Sequence, residues 1–486
     1  MDLAALKRLV VSGFAWQGAT KLIAQACSWA STIFVARLVA PEAYGIVAAA
    51  AVMTQLLLLL AEFGVAQGLV QKKNLSRQAE DGIFYLSILF GLAAYGVLFL
   101  LAPAIAGFYR MPELEPVLHL LGFMVIFGTV KTVPTALAMR QMNFRYVSLA
   151  EMAGSIAMTI TVISLALQGF GVWSLVWGPI VSQLLMMLIL LPQLGRWPRP
   201  GIASAEVREI LGFGLKVTGT QLLYLIWSKA DVTIIGRVLG ERMLGLYSMA
   251  FQIAVLPLDK VGTIFGQVLF PAMARLQDNP QASRQLFLKL HGYLLLITYP
   301  LLFGLAATAH DFVELLLSPP WLPIVPLLQA LCLISALRIS GMLMPPVLFA
   351  RGQVGYMVRY STLCALVLPA AFLIGARYGL GGVVAAWAIA YPCLYAVLAR
   401  FCLRELGLSW GGLLHSALPA AAATATMLTA VFGFSTGIGQ ELELAGRFFS
   451  SVGVGAAAYI GCIILLFPGQ FHEFKQRLTQ LWAART

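Results

Sequence analysis

The sequence predicts an all-α polytopic membrane protein with about fourteen transmembrane helices, and three observations carry that expectation. The 486-residue chain is 60% hydrophobic and only 11% charged, with a mean hydropathy of +0.87. A soluble domain carries about 25% charged residues. Apolar stretches recur from end to end, each near the ~20 residues that cross a hydrocarbon core as a helix. They are continuous, without the dyad alternation of a membrane barrel, and only helices and closed barrels satisfy their own backbone inside lipid.

In chain order, the first stretch covers 12–36, behind Lys7 and Arg8. It contains Ala24-Gln25-Ala26, a faint likeness to a signal-peptidase site, but it runs far beyond a signal core, so an uncleaved first helix is expected. Helices 2–6 are expected near 43–62, 82–102, 117–138, 147–167 and 172–191. Helices 7–12 are expected near 210–236, 243–268, 290–308, 324–349, 360–376 and 382–401, and helices 13 and 14 near 413–434 and 448–467. The chain thus divides into a first lobe of six helices (1–191), a polar linker (192–209), a second lobe of six (210–402), two further helices (403–467) and a tail (468–486). Lys475, Arg477, Leu478, Leu481 and Trp482 suit the tail to a basic amphipathic helix on the membrane surface, with a solvated tail as the alternative.

The formal charge of +12 does not indicate nucleic-acid binding, because the basic residues recur in short loops rather than on one segment. Alternate loops collect roughly twenty of them, Lys72, Arg77, Arg140, Arg196 and Arg208 among them, against roughly six (Arg37, Arg110, Arg237, Arg242, Arg377, Arg447) on the opposite side. By the positive-inside rule both termini are expected in the cytoplasm of a bacterial cell, in its inner membrane. The outward loops carry Glu113, Glu115, Asp311, Glu314, Glu441 and Glu443 instead. Six scattered cysteines and five isolated histidines show no ligand or disulfide spacing, and no phosphate-binding GxxxxGK[ST] loop is present. No cofactor is expected.

An internal repeat joins the two halves. Ala36-Arg37-Leu38-Val39-Ala40-Pro41-Glu42, leading to Gly45-Ile46, echoes Gly236-Arg237-Val238-Leu239-Gly240-Glu241-Arg242, leading to Gly245-Leu246. Helices 1–2 therefore correspond to helices 7–8 in the same topological sense, a parallel repeat of the kind that places a substrate site between halves.

Several segments resemble the polysaccharide-exporter and O-antigen-flippase branch of the multidrug/oligosaccharidyl-lipid/polysaccharide (MOP) exporter superfamily. They are FYRMPEL at Phe108–Leu114, MRQMNFR at Met139–Arg145, GFGVWSLV at Gly169–Val176, DVTIIGRVLG at Asp231–Gly240, LGLYSMA at Leu244–Ala250 and VLFPAMARLQ at Val268–Gln277. The resemblance implies two six-helix lobes forming a V around a cavity lined chiefly by helices 1, 2, 7 and 8. It implies outward passage of a polyprenyl-pyrophosphate-linked oligosaccharide or polysaccharide by alternating access. The implied partners are that substrate, membrane lipids and, further, polysaccharide polymerase and chain-length machinery.

Charges inside the spans are the residues' own functional signal. Each Lys, Arg or Asp facing lipid at a helix centre costs roughly 2.5–3.5 kcal/mol on insertion scales. Lys21, Lys131, Lys216, Lys229, Asp231, Asp259, Lys260 and Arg338 all fall inside expected spans, with Glu62 near an end. Lys21, Lys260, Arg338, Lys131 and Lys229 are the candidates for holding phosphate or glycan, the lysines as point charges and the Arg338 guanidinium as a fork. Asp231, Asp259, Arg37, Arg237 and Glu62 are the candidates for gating or ion coupling, and a structural salt bridge is the alternative at Lys131, Arg338, Asp231 and Asp259. Pro179 and Pro257 should bend helices 6 and 8. A lipid II flippase or a drug/cation antiporter of the same fold is the alternative function. A membrane-embedded glycosyltransferase or polymerase is less consistent, since every outward loop is short.

Overall fold

A computed structural model of the chain describes residues 29–72, 75–141, 143–199 and 205–468, and it is helical throughout those residues. Lys21 and the residues of the tail beyond 468 lie outside them. Contacts divide the chain into two compact units, Met1–Ser248 and Met249–Thr486. In the first, α1 (29–36), α2 (Pro41–Glu62), α3 (Val65–Gln71), α4 (Arg77–Tyr109), α5 (Leu114–Leu121), α6 (Phe123–Arg140), α7 (Phe144–Leu167) and α8 (Val172–Leu190) precede the linker. After it come α9 (Ala205–Ser228), α10 (Ala230–Leu239) and the start of α11 (Glu241–Pro257). The second unit holds the rest of α11, then α12 (Thr263–Arg275), α13 (Pro280–Ala307), α14 (Ala309–Leu316), α15 (Val325–Gly341) and α16 (Met344–Ala350). It ends with α17 (Val354–Ala376), α18 (Gly379–Leu406), α19 (Trp410–Thr436) and α20 (Leu444–Leu466).

Eleven segments among the described residues are long and apolar enough to cross a membrane. Their outer surfaces are apolar too: Leu100 and Leu465 are each 79% exposed, which suits lipid and not water. Local chemistry starts these helices where the chain enters them. The Ser76 hydroxyl accepts from the Ala79 amide at 3.2 Å to cap α4, and Asn279 caps α13 ahead of Pro280 by accepting from the Ala282 amide at 3.0 Å.

Helices 7 and 8 differ from the expectation of unbroken crossings over 210–236 and 243–268. Helix 7 stops at Ser228 and restarts at Ala230, with Lys229 off the helix at φ −119°, ψ 5°. The break gives α10 its own N-terminus, where Asp231 sits in the first turn and accepts from the Val232 amide at 2.7 Å. Helix 8 runs to Pro257, passes through a π turn at Leu258–Gly262, and resumes as α12. Proline's missing donor and its clash with the preceding turn explain the irregularity.

Two glycine contacts organise the first unit. A methyl group added at Gly45 would run into the Glu241 carbonyl, and one at Gly245 into the Pro41 carbonyl. Pro41 and Glu241 occupy equivalent places in the sequence repeat, as do Gly45 and Gly245, so the contact between α2 and α11 is two-fold symmetric in kind. At the other end, α2 ends on Phe63 (φ 45°) and Gly64 (φ 59°), and Gly214 of α9 seats its backbone against theirs. Around that seat Leu69, Ile83, Phe84, Val133 and Ile210 form one buried cluster joining α3, α4, α6 and α9. The second unit has its own larger core, in which Phe287, Leu294, Ile339, Leu348 and Leu398 are completely buried or nearly so.

Gly45→Ala and Gly245→Ala should each lower stability by about 1–3 kcal/mol through overpacking against a backbone that cannot give way. Gly96→Ala, in open space on α4, should leave the midpoint unchanged or raise it. Thermal melts in detergent decide this, and wild-type midpoints for both of the first two variants would refute the contact.

Candidate functional site

Among the described residues, five constellations carry the charged groups that concern the site, three in the first unit and two in the second. The first lies where the basic loops gather. Lys72 pairs with Glu209 at 2.5 Å and Arg196 with Asp81 at 2.8 Å, while Tyr85 donates to the Pro198 carbonyl at 3.1 Å. The Ser76 hydroxyl and amide donate to Glu206 at 2.6 and 3.2 Å and hold its carboxyl below the usual range. These bonds clasp the linker onto the start of α4. The described parts of the segment on either side of 200–204 are both held at this end.

The second constellation is inside the spans. Lys131 of α6 donates to the side-chain carbonyl of Gln183 on α8, and Glu62 and Glu151 are the carboxylates that act on its charge. The Thr132 hydroxyl lies 3.5 Å from Glu62. Lys131 and Glu62 are thereby brought into one neighbourhood, with the ammonium already solvated by protein.

The third gathers at the opposite end of the same unit. Asp231 is fully buried and accepts from the Tyr247 hydroxyl at 2.6 Å. Arg237 lies over the Phe108 ring at 5.5 Å, and Arg242 pairs with Glu42 at 3.5 Å. Arg37 is exposed. Glu241, ahead of the apolar part of α11, has its carboxyl raised by burial and by the neighbouring charges of Glu113 and Glu42.

The fourth is in the second unit, around Arg338. Its guanidinium stands 5.3 Å from the ring centre of Phe251 and 5.0 Å from that of Trp387, a cation lying over two adjacent rings whose centres are 6.3 Å apart. Trp387 is itself 1% exposed and packs against Phe372 and Tyr391. Among the described residues Arg338 has no carboxylate within ion-pair distance and no hydrogen-bond acceptor. A planar fork of five donors therefore sits in an apolar span with its charge answered by π faces and its donors open. At the far end of the same unit a fifth constellation forms a closed pair. There Arg447 forks onto Asp311 at 2.6 and 3.0 Å, with His310 3.5 Å from Glu314.

Of the residues singled out from sequence, the structure brings Lys131 to Glu62. It buries Asp231 and stacks Arg237 and Arg338 on aromatic rings. Lys229 marks the helix break. The side chains of Asp259 and Lys260, on the π turn, lie outside the described residues, as Lys21 does. Phe251 and Trp387 were not foreseen. The i, i+4, i+8 spacing of Trp387, Tyr391 and Tyr395 on one face of α18 is the signal that would have found Trp387, and Phe251 has none.

A bundle of spans with repeated helix pairs and cations within the membrane defines a multi-pass transporter, and comparison with solved structures gives its fold. The chain superimposes on the lipid II flippase MurJ in an inward closed conformation with a TM-score of 0.77 at 13% identity, covering 94% of this chain and 100% of that one. An inward-facing multidrug-resistance MATE transporter of the MOP superfamily matches with a TM-score of 0.61 at 17% identity, covering 82% and 95%. The MOP-type fold expected from sequence is therefore the observed one.

The chain belongs to the polysaccharide biosynthesis protein family, whose profile matches residues 34–326, more than half its length. Among curated relatives, the lipopolysaccharide biosynthesis protein WzxC of Escherichia coli is 26% identical over 380 residues, 77% of this chain and 76% of that one. The succinoglycan biosynthesis transport protein ExoT of Rhizobium meliloti is 25% identical over 373 residues, 76% and 75% of the two chains. The two solved structures are a flippase and a multidrug-resistance transporter, and ExoT is named a transport protein.

Glu241 supplies a pH test. A carboxyl raised in the fold opposes folding once ionised, so its destabilising effect is present above the folded pKa and disappears as pH falls through it. Glu241→Gln should raise the melting midpoint at pH 7.5, and the gain should vanish toward pH 4. A constant difference across that range would contradict the burial described for this group.

Proposed function

We propose that this protein is a flippase that carries a polyprenyl-pyrophosphate-linked oligosaccharide, or a related glycan polymer, from the cytoplasmic to the periplasmic face of a bacterial inner membrane by alternating access. The observation that carries this reading is Arg338: a guanidinium within a span, lying over the adjacent rings of Phe251 and Trp387, whose donors meet no acceptor among the described residues. A charge so placed calls for an anion, and a pyrophosphate accepts a fork through two oxygens. Family membership and relatives named for lipopolysaccharide biosynthesis and succinoglycan transport support a glycan cargo. The basic linker end faces the cytoplasm in this reading, in keeping with the loop-charge asymmetry, and both termini lie on that side. Lys21, Lys229 and Lys260 join Arg338 as phosphate holders, while Lys131, already bonded to Gln183, is a structural cation near Glu62. Asp231, Asp259, Arg37 and Arg237 serve the gates or a coupling ion. Polymerase and chain-length machinery would take up the delivered glycan.

Reconstituted liposomes test it. Wild type should move a polyprenyl-pyrophosphate-linked oligosaccharide between leaflets. Arg338→Gln should slow that by about 10- to 100-fold, the loss of charge-assisted hydrogen bonds worth about 1.5–3 kcal/mol. Arg338→Lys, a cation without the fork, should fall between. Movement of lipid II but not of the oligosaccharide would favour the cell-wall flippase reading, and movement of small organic cations alone would favour the antiporter.

A further inference from the structure

Directly behind the Arg338 helix a chain of hydrogen bonds ties four helices together through His291, a residue the anion site itself does not use. His291 of α13 is 1% exposed, and both ring nitrogens are bonded: Nδ1 lies 2.8 Å from the Ser416 hydroxyl of α19, and Nε2 lies 2.9 Å from the Ser340 hydroxyl of α15. Ser340 is in turn 2.8 Å from the Tyr395 hydroxyl of α18.

One assignment of the protons satisfies every bond at once. The Ser416 hydroxyl donates its one hydrogen to the Leu413 carbonyl at 2.7 Å, so toward the imidazole it can only accept. Nδ1 therefore carries the hydrogen. In a neutral ring Nε2 is then bare and accepts from Ser340, and Ser340 accepts from Tyr395. The chain reads Tyr395 to Ser340 to Nε2 on one side, and Nδ1 to Ser416 to the Leu413 carbonyl on the other. A proton arriving at the half-buried Tyr395 can pass inward. The Tyr395 hydrogen shifts to Ser340, that of Ser340 shifts to Nε2, and the incoming proton replaces the one Tyr395 gave up. The net change is one proton added to the imidazole.

What such a charge would feel follows from its surroundings. Near the bonded residues, the charged and titratable groups on the neighbouring elements are Tyr391 and Tyr395 on α18, Arg338 on α15 two residues before Ser340, His415 on α19, Asp259 and Lys260 on the π turn, and Lys289 and Tyr293 on α13 itself; Arg284 of α13 and Arg400, Arg404 and Glu405 of α18 lie further along those helices. Among the described side chains the imidazole meets no carboxylate, and the nearest ring, Phe287, stacks at 5.9 Å. An uncompensated Arg338 on the adjoining helix disfavours a second positive charge, and an anion on Arg338 removes that opposition.

The geometry points to His291 as a proton-binding site linked to the anion site: neutral while Arg338 is empty, and taking up a proton through Tyr395 and Ser340 when a pyrophosphate group occupies Arg338. The inference rests on the Arg338 reading above. By linkage the proton and the anion must then favour each other equally.

The test is calorimetric titration of the full-length protein in detergent with inorganic pyrophosphate, in buffers of different ionisation heat, which counts protons taken up per ligand bound. Wild type should take up about one proton more than His291→Gln, whose amide keeps one donor and one acceptor in place but cannot titrate; the ligand's own protonation is common to both. Ser340→Ala, which removes the hydroxyl bonded to Nε2 in either protonation state, should change the pH dependence of the extra uptake. Equal proton numbers in wild type and His291→Gln, or a Ser340→Ala profile identical to wild type, would overturn the proposal even if Arg338→Gln abolishes binding. Binding undiminished in Arg338→Gln, or absent from wild type, would instead overturn the anion site and the linkage with it.

Discussion

A charge placed inside a slab of hydrocarbon must be answered by something, and the arrangement of this protein is largely the set of answers it gives. Water supplies none at that depth, so each ionised group meets an opposite charge, a polar side chain, an aromatic face or a ligand. Lys131 meets Gln183 and the field of Glu62, and Asp231 meets Tyr247 and a helix N-terminus. Among the described residues Arg338 meets only rings. The other two are complete without a substrate. That difference, rather than the mere presence of cations in apolar segments, separates a scaffold charge from one kept for a ligand.

The same constraint shapes the backbone. Inside lipid a helix can break only where its freed amides and carbonyls find new partners. At Lys229 the break hands the first turn of α10 to Asp231, and at Pro257 the chain widens into a π turn instead of losing its ladder altogether. Both interruptions fall in the helix pair that repeats helices 1 and 2.

Much of this was legible in the sequence. Apolar run length gives nearly every crossing, because span length is dictated by the bilayer and not by neighbours. The repeat through Gly45 and Gly245 was readable for a similar reason: glycine is a local signal. What could not be read was which buried charges already have partners. Lys131 and Arg338 look alike as isolated letters in apolar stretches, and only the packing of α8 against one and of Phe251 and Trp387 against the other distinguishes them. His291 was invisible for a related reason. Its significance lies in two serines and a tyrosine at separations of 125, 49 and 104 residues, counting Tyr395 through Ser340, and no spacing rule connects them. Helix 7 misled because a run of apolar residues on both sides of Lys229 hides a break that costs no hydropathy.

The mutual seating of Gly45 and Gly245 has a consequence for how such a chain can change over generations. Each glycine rests on the carbonyl four residues before the other, so the two copies meet as identical subunits would across the axis of a dimer. In a true homodimer one codon sets both sides of such a contact, and a substitution strikes twice at once. Here duplication has separated the two sides into independent codons. Yet neither can gain even a methyl group by trimming the other, because what each would strike is main chain, which no mutation of the partner removes. Two positions free to diverge are held alike by geometry, and the seam where the copies touch is where the memory of the duplication should persist longest.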